Sequence, residues 1–550
     1  MYRNGVPSRP RENREAGVPS GPRENREAGV PFGPAAPGRR AGGRWEKAMS
    51  YKTHMYGGGE SYSGVVPTKQ PNEGRGRPQE VVEGRPLTKE NTEQTDPIQT
   101  PSWGNGPSGL ERVREAARKD GKLQFTALLH HVNTDLLRSS YHSLKKQAAA
   151  GVDGMTWEEY GQDLEARLAD LHGRIHRGAY RAQPSRRVWG PEGAPKADGR
   201  QRPLGIAALE DKIVQRAVGT VLNQIWEEDF LGFSYGFRPE RSQHDALDAL
   251  YAGITRKKVD WVLDLDIRSF FDKISHEWLV KFVEHRIQDK RVVRLIQKWL
   301  KAGVMEQGQW HETEEGTPQG SVISPILANL YLHYVLDVWA DVWRKKLAQG
   351  DVIIVRYADD AVLGFQYREE AEKFLGQLRE RLRKFGLELH PDKTRLIEFG
   401  RYAAERRKRR GEGKPETFNF LGFTHICGTS PQTGRFAVRR ITIGKRMAAK
   451  LREIRSQLRR RMHGAIGNTA EWLRKVVRGY FQYHAIPGNQ RRLRAFRKDV
   501  LRMWLRQLRR RSQRSRWTWK RFLERLGVLL PAVEILHPHP AVRFYATHSR

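Results

Sequence analysis

Two adjacent aspartates between two apolar runs constrain the fold of this chain more than any other stretch. Residues 352–355 read Val-Ile-Ile-Val, residues 361–365 read Ala-Val-Leu-Gly-Phe, and Asp359 and Asp360 lie between these runs. This pattern is typical of a β-hairpin, so we expect both carboxylates at its tip. Two neighbouring negative charges cost free energy unless a cation, usually a divalent metal, holds them. Aspartate is also an ordinary turn residue, so the pair alone leaves both interpretations open.

A second acidic strand lies upstream. Residues 261–267 read Trp-Val-Leu-Asp-Leu-Asp-Ile, and the period of two puts Asp264 and Asp266 on the face opposite the large apolar residues. Carboxylates on a strand and on a hairpin tip together suit a site for two Mg²⁺ ions about 3.5–4 Å apart, as in phosphoryl transfer. The spacing does not decide between Asp264 and Asp266.

The charge of the whole chain points to a polyanionic partner. The 550 residues carry a formal net charge of +36, and nucleic acid is the commonest large polyanion that a basic protein meets. No stretch of 18 apolar residues and no signal-peptide pattern is present, so we expect a cytoplasmic protein with no membrane partner, associated with the nucleoid when it acts on DNA. Cys427 is the single cysteine, which excludes a disulfide framework.

The most basic region follows residue 440. Residues 441–530 contain 26 Lys and Arg against four acidic residues, and their apolar spacing is helical. A helical unit with an arginine exterior is suited to structured RNA. The apolar faces that we expect are Met447, Leu451, Ile454 and Leu458; Trp472, Val476, Tyr480 and Tyr483; and Phe496, Val500, Trp504 and Leu508.

The N-terminal region has a different composition. A unit of twelve residues at 5–16 returns almost unchanged at 17–28, and residues 1–105 are polar and rich in Gly and Pro. Such a segment lacks the apolar residues for a core, so we expect a disordered leader. We also expect that translation starts at Met49 or Met55, so that residues 1–48 are not part of the protein in the cell.

Two further features suit a nucleotide pocket. Lys196 and Arg202 flank a hairpin turn expected at residues 198–199, and they either clamp a triphosphate from one face or remain solvated surface charges. Phe271 follows Asp266 by five residues, so its ring could pack under the sugar of a nucleotide. A core position is the alternative, and it is the one that we favour for Phe270.

Together these motifs resemble the reverse transcriptase/maturase proteins encoded by bacterial group II introns. The resemblance covers residues 106–550, with the motifs in the family's order. They are Gly-Val-Asp-Gly at 151–154, Arg-Pro-Leu-Gly-Ile at 202–206, Tyr-Gly-Phe-Arg-Pro at 235–239, the Asp266 strand, Thr-Pro-Gln-Gly at 317–320, Tyr-Ala-Asp-Asp at 357–360, Leu-His-Pro-Asp-Lys-Thr at 389–394 and Phe-Leu-Gly-Phe at 420–423.

The resemblance implies an α+β right-hand polymerase followed by an all-α basic thumb, called domain X. It implies four segments: a leader (1–105), an N-terminal extension and fingers (106–260), a palm (261–428) and a thumb (429–550). The implied function is RNA-directed DNA polymerase (a nucleotidyltransferase) with maturase activity. The partners would be group II intron RNA, an RNA template with a DNA primer, dNTPs and target DNA.

The resemblance also assigns roles to single residues. Asp266, Asp359 and Asp360 match the catalytic carboxylates, and with Ile267 they would hold two Mg²⁺, or Mn²⁺ as a substitute. Lys196, Arg202, Phe271 and Gln319 match nucleotide-binding residues. Phe420, Leu421 and Gly422 match the primer grip, and we assign RNA binding to Arg474, Lys475, Arg478, Arg491 and Arg492.

The chain departs from the family pattern in two places. Residues 319–321 read Gln-Gly-Ser where Gln-Gly-Gly is frequent, and the sequence ends where many relatives continue into an HNH endonuclease domain. We therefore expect no cleavage of the second target strand by this chain. Two alternatives stay open: a reverse transcriptase co-opted for defence or CRISPR spacer acquisition, and an RNA-binding maturase without polymerase activity.

Overall fold

The computed structural model describes residues 109–189, 203–318, 320–430, 433–512 and 514–547. The expected leader (1–105) lies outside these ranges, as do Lys196, Arg202 and Gln319. The described chain contains both helices and strands, so the mixed α and β composition expected from the sequence is confirmed.

Helices occupy most of the described chain. Several begin at side-chain caps; for example, Thr156 and Ser242 form capping boxes with Glu159 and Asp245. The helices are α1 (Gly109–Lys119), α2 (Thr134–His142), α3 (Trp157–Gly161), α4 (Leu164–His176), α5 (Leu209–Asp229), α6 (Gln243–Arg256), α7 (His276–Glu284), α8 (Lys290–Lys301), α9 (Ser324–Leu332), α10 (Val338–Lys346), α11 (Arg368–Lys384), α12 (Arg401–Arg409), α13 (Gly444–Arg460), α14 (Ile466–His484), α15 (Gln490–Arg510), α16 (Trp519–Arg525) and α17 (Pro540–Thr547).

The strands form three sheets with the orders β2-β1-β4-β5, β6-β7-β3-β8 and β11-β10-β9. The strands are β1 (Ser185–Trp189), β2 (Pro203–Ile206), β3 (Trp261–Leu265), β4 (Val304–Glu306), β5 (Gln309–His311), β6 (Val352–Tyr357), β7 (Asp360–Phe365), β8 (Arg395–Glu398), β9 (Phe418–Phe420), β10 (Phe423–Thr429) and β11 (Phe436–Thr442). Trp189 of β1 pairs with Pro203 of β2, so the strands of the hairpin expected around residues 198–199 are present, while its tip lies outside the described residues.

The β6-β7-β3-β8 sheet, called here the central sheet, holds the acidic strand and the expected hairpin. All its neighbouring strands are antiparallel. Leu263 and Leu265 of β3 pack into one buried cluster and Val262 packs into another, so the sheet is covered on both faces. Asp264 shares the Val262 face, as the period of two requires.

The core of the described residues consists of three buried clusters. The first joins α1–α5 and α7–α11 to one face of the central sheet. The second joins the other face to α6, to the β9–β11 sheet and to Phe544 of α17. The third lies wholly within residues 454–530 and packs α13–α16 together. The basic helices therefore have an apolar core of their own.

One helical face differs from the expectation. In α14 the large apolar side chains that are buried are Leu473, Val477 and Phe481, while Trp472, Val476 and Tyr480 pack only partly against the third cluster. The helix carries two adjacent apolar stripes, and spacing alone does not say which one faces its neighbours. Within the described residues, no helix is both long and apolar enough to cross a membrane.

Candidate functional site

The register of the central sheet brings the predicted carboxylates together. Leu265 pairs with Ala361 at the end of the β3–β7 ladder, so one step further along both chains leads to Asp266 and Asp360. Adjacent strands lie about 4.8 Å apart. Asp360 begins β7 and pairs with Tyr357, which leaves Asp359 in a two-residue turn with Ala358. The backbone positions of Asp266, Asp359 and Asp360 therefore lie next to one another at the ends of β3 and β7, the two inner strands of the sheet.

The backbone that follows β3 is held by the segment before β8. The His390 amide donates to the Asp266 carbonyl (2.7 Å), and the Arg268 amide donates to the Glu388 carbonyl (2.8 Å). Ile267 is buried and forms an isolated bridge with Leu389. The same segment supplies Lys393, whose Nζ lies 3.2 Å from Asp266 Oδ2.

The environments of the acidic side chains differ. Packing of protein around the Asp360 carboxyl raises its pKa to about 7, and the charges of Asp359 and Asp266 add to the rise. Burial, opposed by Arg395 at 3.7 Å, raises the pKa of Asp264 to about 6. Asp264 thus lies near an arginine, whereas the solvent-exposed Asp360 lies near the charges of Asp359 and Asp266, which Arg446 opposes.

Two observations bear on metal binding. Across the described ranges, no group of three or more His, Cys, Asp or Glu side chains is arranged so that it could hold a metal ion. The chemistry of the donors nevertheless suits Mg²⁺, which prefers carboxylate oxygens. The pKa of Asp360 is raised first by desolvation and then by repulsion from Asp359 and Asp266, and a bound cation would offset that repulsion. The donor atoms are therefore of the type that binds a divalent metal. In this structure the Asp266 carboxylate pairs with Lys393.

Of the predicted nucleotide-binding residues, only Phe271 lies in the described chain. It belongs to a short 3₁₀ segment (Phe270–Asp272) and is half-buried, while Phe270 is fully buried against the first cluster, as expected. The Phe271 carbonyl accepts a hydrogen bond from the Thr317 amide (2.8 Å), which places this segment beside the loop that leads to Gln319.

The predicted primer grip is a second tight hairpin. Phe420 pairs with Phe423, so Leu421 and Gly422 form its two-residue turn with φ angles of 44° and 83°. Positive φ at both positions is the signature of a type I′ turn, and it is unusual for leucine. The Tyr483 hydroxyl of α14 donates to the Leu421 carbonyl (2.7 Å).

The five predicted RNA-binding residues are exposed. Three lie on α14 and two at the start of α15, so all belong to the unit built around the third cluster. Lys475 forms an ion pair with Glu471 at 3.3 Å. The residues are Arg474, Lys475, Arg478, Arg491 and Arg492.

Sequence reasoning missed two charged residues near the carboxylates. Lys393 lies in a recognised motif, but no role was assigned to it. Arg356 stands out as the one charge in the apolar strand β6, and it is fully buried under the turn that carries Asp359. A buried charge in a strand could have been noticed, whereas its partners could not, because they come from distant parts of the chain.

Known proteins share this sequence pattern. A family model described as reverse transcriptase (RNA-dependent DNA polymerase) matches residues 194–425, which include the central sheet and its carboxylates. Protein YkfC of Escherichia coli (strain K12) is 36% identical over 312 residues, or 49% of this chain and 80% of that protein. The region around the carboxylates is thus a reverse transcriptase domain.

Intron-encoded proteins are also similar. Group II intron-encoded protein LtrA of Lactococcus lactis subsp. cremoris is 35% identical over 225 residues, or 41% of this chain and 37% of that protein. An uncharacterized 91 kDa protein in the cob intron of Schizosaccharomyces pombe is 30% identical over 281 residues, or 50% of this chain and 34% of that protein. The chain belongs to the family of group II intron-encoded reverse transcriptases and maturases.

Proposed function

We propose that this protein is an RNA-directed DNA polymerase that extends a DNA primer with dNTPs on an RNA template. The observation that carries the proposal is the register that sets Asp266 beside Asp360, with Asp359 in the adjoining turn. Three carboxylates at the ends of β3 and β7 form the donor set that phosphoryl transfer to a 3′-hydroxyl requires.

Each carboxylate has a proposed role. Asp266 and Asp359 would bind both of two Mg²⁺ ions, Asp360 would support one of them, and the Ile267 backbone would complete the set. The bound metals would activate the primer 3′-hydroxyl and neutralise the triphosphate. Lys393 contacts only Oδ2 of Asp266, and a metal ion bound by this carboxylate would compete with that contact.

Other residues have proposed roles in the nucleotide pocket and at the primer end. We propose that Lys196 and Arg202 bind the triphosphate, that Phe271 and Gln319 contact the sugar of the dNTP, and that residues 420–422 hold the primer end. Support for this arrangement comes from the second buried cluster, which contains Tyr357 and Ala358 of the first turn and Phe420 and Leu421 of the second.

We further propose that the basic helices bind group II intron RNA and assist its splicing, and that the polymerase subdomains follow the right-hand plan. The separate core of α13–α16 supports a distinct thumb. Because β10 pairs with β11 across residue 429, we place the start of that thumb after Thr442. Target DNA would be the further partner during intron mobility.

Primer extension with Mg²⁺ on a primed RNA template tests the polymerase. Asp266→Asn and Asp359→Asn should abolish labelled dNTP incorporation, because each removes a charged metal ligand, and both should keep wild-type affinity for intron RNA. Asp264→Asn is the matched control on the same strand face, and it should retain activity because its partner is Arg395. Equal loss of extension in all three variants would indicate that these residues hold the fold instead.

The alternative of an RNA-binding maturase without polymerase activity has one observation in its favour, the Lys393 ion pair on Asp266. The same assay decides between them. A wild-type chain that binds intron RNA and incorporates no dNTP would establish the alternative.

A further inference from the structure

Arg356 is a fully buried arginine in β6, and all its donors are used. A guanidinium carries five N–H groups, and burying it is costly unless each one is paired. Nε donates to Asp337 Oδ1 (2.7 Å), and Nη2 donates to Asp337 Oδ2 (2.5 Å) and Ser234 Oγ (2.6 Å). Nη1 donates to Asn329 Oδ1 (3.0 Å) and to the carbonyl of Ala358 (2.8 Å).

The partners come from separate elements. Ser234 belongs to a segment that pairs with β6, since the Arg356 amide donates to the Phe233 carbonyl (2.9 Å). Asn329 lies in α9. Asp337 ends a π-helical segment, His333–Asp337, that joins α9 to α10. Such π-turns insert an extra residue into a helix and occur often at functional sites. Here the π-turn carries Asp337, the residue that neutralises the guanidinium.

The network reaches the turn from two sides. Ala358 has a φ of 55°, a strained conformation for alanine, and Arg356 binds its carbonyl. Gly236 lies against the other side, where a Cβ would come within 3.1 Å of Ala358 Cα and closer still to its nitrogen. Asn329 Nδ2 donates to the Gly236 carbonyl (2.6 Å), and Asn329 Oδ1 accepts from Arg356. Asn329 therefore links Arg356 and Gly236, the two residues that contact the turn. Asp359 is the next residue.

We propose that Arg356 is a positioning residue that fixes the direction of the Asp359 carboxylate, with Asp337, Asn329 and Ser234 as its frame. The proposal rests on the proposed function, which assigns metal binding to Asp359. Arg356 acts through the Ala358 peptide, because its five donors are occupied by the frame and the turn.

A purely structural role makes a different prediction for a paired substitution. Arg356→Met combined with Asp337→Leu replaces a buried ion pair by apolar side chains, a change that often preserves stability. It also removes the donor to the Ala358 carbonyl. The matched control is Arg344→Met with Asp341→Leu, which removes another buried ion pair, in α10.

The test combines thermal unfolding, primer-extension kinetics and amide exchange of residues 357–361. We expect the Arg356/Asp337 variant to stay folded with a lower unfolding temperature, because Asn329, Ser234 and the Ala358 carbonyl lose a donor. It should lose kcat on the order of 10²-fold with a smaller change in the KM for dNTP, and exchange the turn amides faster. The Arg344/Asp341 control should keep both kcat and exchange. Wild-type kcat in the Arg356/Asp337 variant would overturn the proposal.

Two further measurements test the proposal if the paired variant does not fold or the wild-type chain extends no primer. If the paired variant does not fold, Arg356→Lys, which keeps the charge but loses the planar fork, is measured in the same way and should lower kcat. If the wild-type chain extends no primer, the proposed function fails. The amide-exchange data then still test whether Arg356 holds the turn at residues 357–361. Unchanged exchange at residues 357–361 in the paired variant would then contradict positioning.

Discussion

Two tight hairpin turns pack against the same buried cluster, and each is held by a different set of hydrogen bonds. The turn at Ala358 and Asp359 is held by Arg356 of its own strand and by residues that precede it in the chain. The turn at Leu421 and Gly422 is held by Tyr483 of α14 and by the Ile443 amide, which donates to the Gly422 carbonyl (3.1 Å). The hydrogen bonds that hold the first turn come from the reverse transcriptase domain, although the charge of Arg446 of α13 also acts on Asp360. The second turn is held through α14 and the segment before α13.

The largest effect should follow from crowding the first turn. In Gly236→Ala the new Cβ would lie 2.9 Å from the Tyr357 carbonyl carbon, so the turn must shift. We expect primer extension to fall on the order of 10²-fold and unfolding free energy to fall by about 1–3 kcal/mol. Gly479→Ala, in α14 with open space around the Cβ, is the control; it should keep primer extension and gain up to about 1 kcal/mol in unfolding free energy, because alanine favours the helix. Full activity in Gly236→Ala would show that the turn tolerates movement.

Lowering the pH should destabilise the packing around the second turn. Burial lowers the pKa of His425 and His484 to about 3 and that of His244 to about 2. Each stabilises the fold fully above its unfolded pKa of about 6.5, and this stabilisation is lost as the pH falls from there towards 3, because the unfolded chain binds the proton first. Urea unfolding between pH 7 and 4 should show the decline. His425→Phe should make it shallower, and an identical slope would contradict this account.

Asn489 joins the second hairpin sheet to the helices. Its side chain accepts from the Thr442 amide (3.1 Å) and donates to the Thr442 hydroxyl (2.7 Å) and the His484 carbonyl (2.8 Å). Asn489→Ala removes these three hydrogen bonds, although the Thr442 hydroxyl keeps His484 Nδ1 (3.3 Å) and the His484 carbonyl keeps the Ile486 amide (2.9 Å). The loss should cost about 1–3 kcal/mol in chemical denaturation. Primer affinity should suffer more than kcat. The opposite pattern would mean that the helices act on the first turn as well.

The smallest effect is expected from Tyr483→Phe. It removes one hydrogen bond to the Leu421 carbonyl and keeps the ring that packs near Phe423. We expect a loss of about 1 kcal/mol in unfolding free energy and a raised KM for the primer at nearly constant kcat. A drop in kcat with unchanged KM would remove the distinction between the two turns.

Local patterns predicted much of the fold and site. The period of two in residues 261–267 and the apolar runs around Asp359 predicted β3 and the β6–β7 hairpin, because both depend on side chains close in sequence. Spacing could not choose between Asp264 and Asp266, since both share one face, nor between the two apolar stripes of α14. The hydrogen-bond partners of Arg356 could not be predicted, because Ser234, Asn329 and Asp337 are distant in sequence and contact it only after folding.

The central claim is that Asp266, Asp359 and Asp360 share bound metal. Replacing Mg²⁺ with Fe²⁺ under conditions that generate hydroxyl radicals cleaves the backbone close to the ion, and mass spectrometry locates the cuts without any need for activity. We predict cuts around residues 264–268 and 357–361 together, both lost in Asp359→Asn. Cuts at only one of these segments, or none that depend on the metal, would contradict the account.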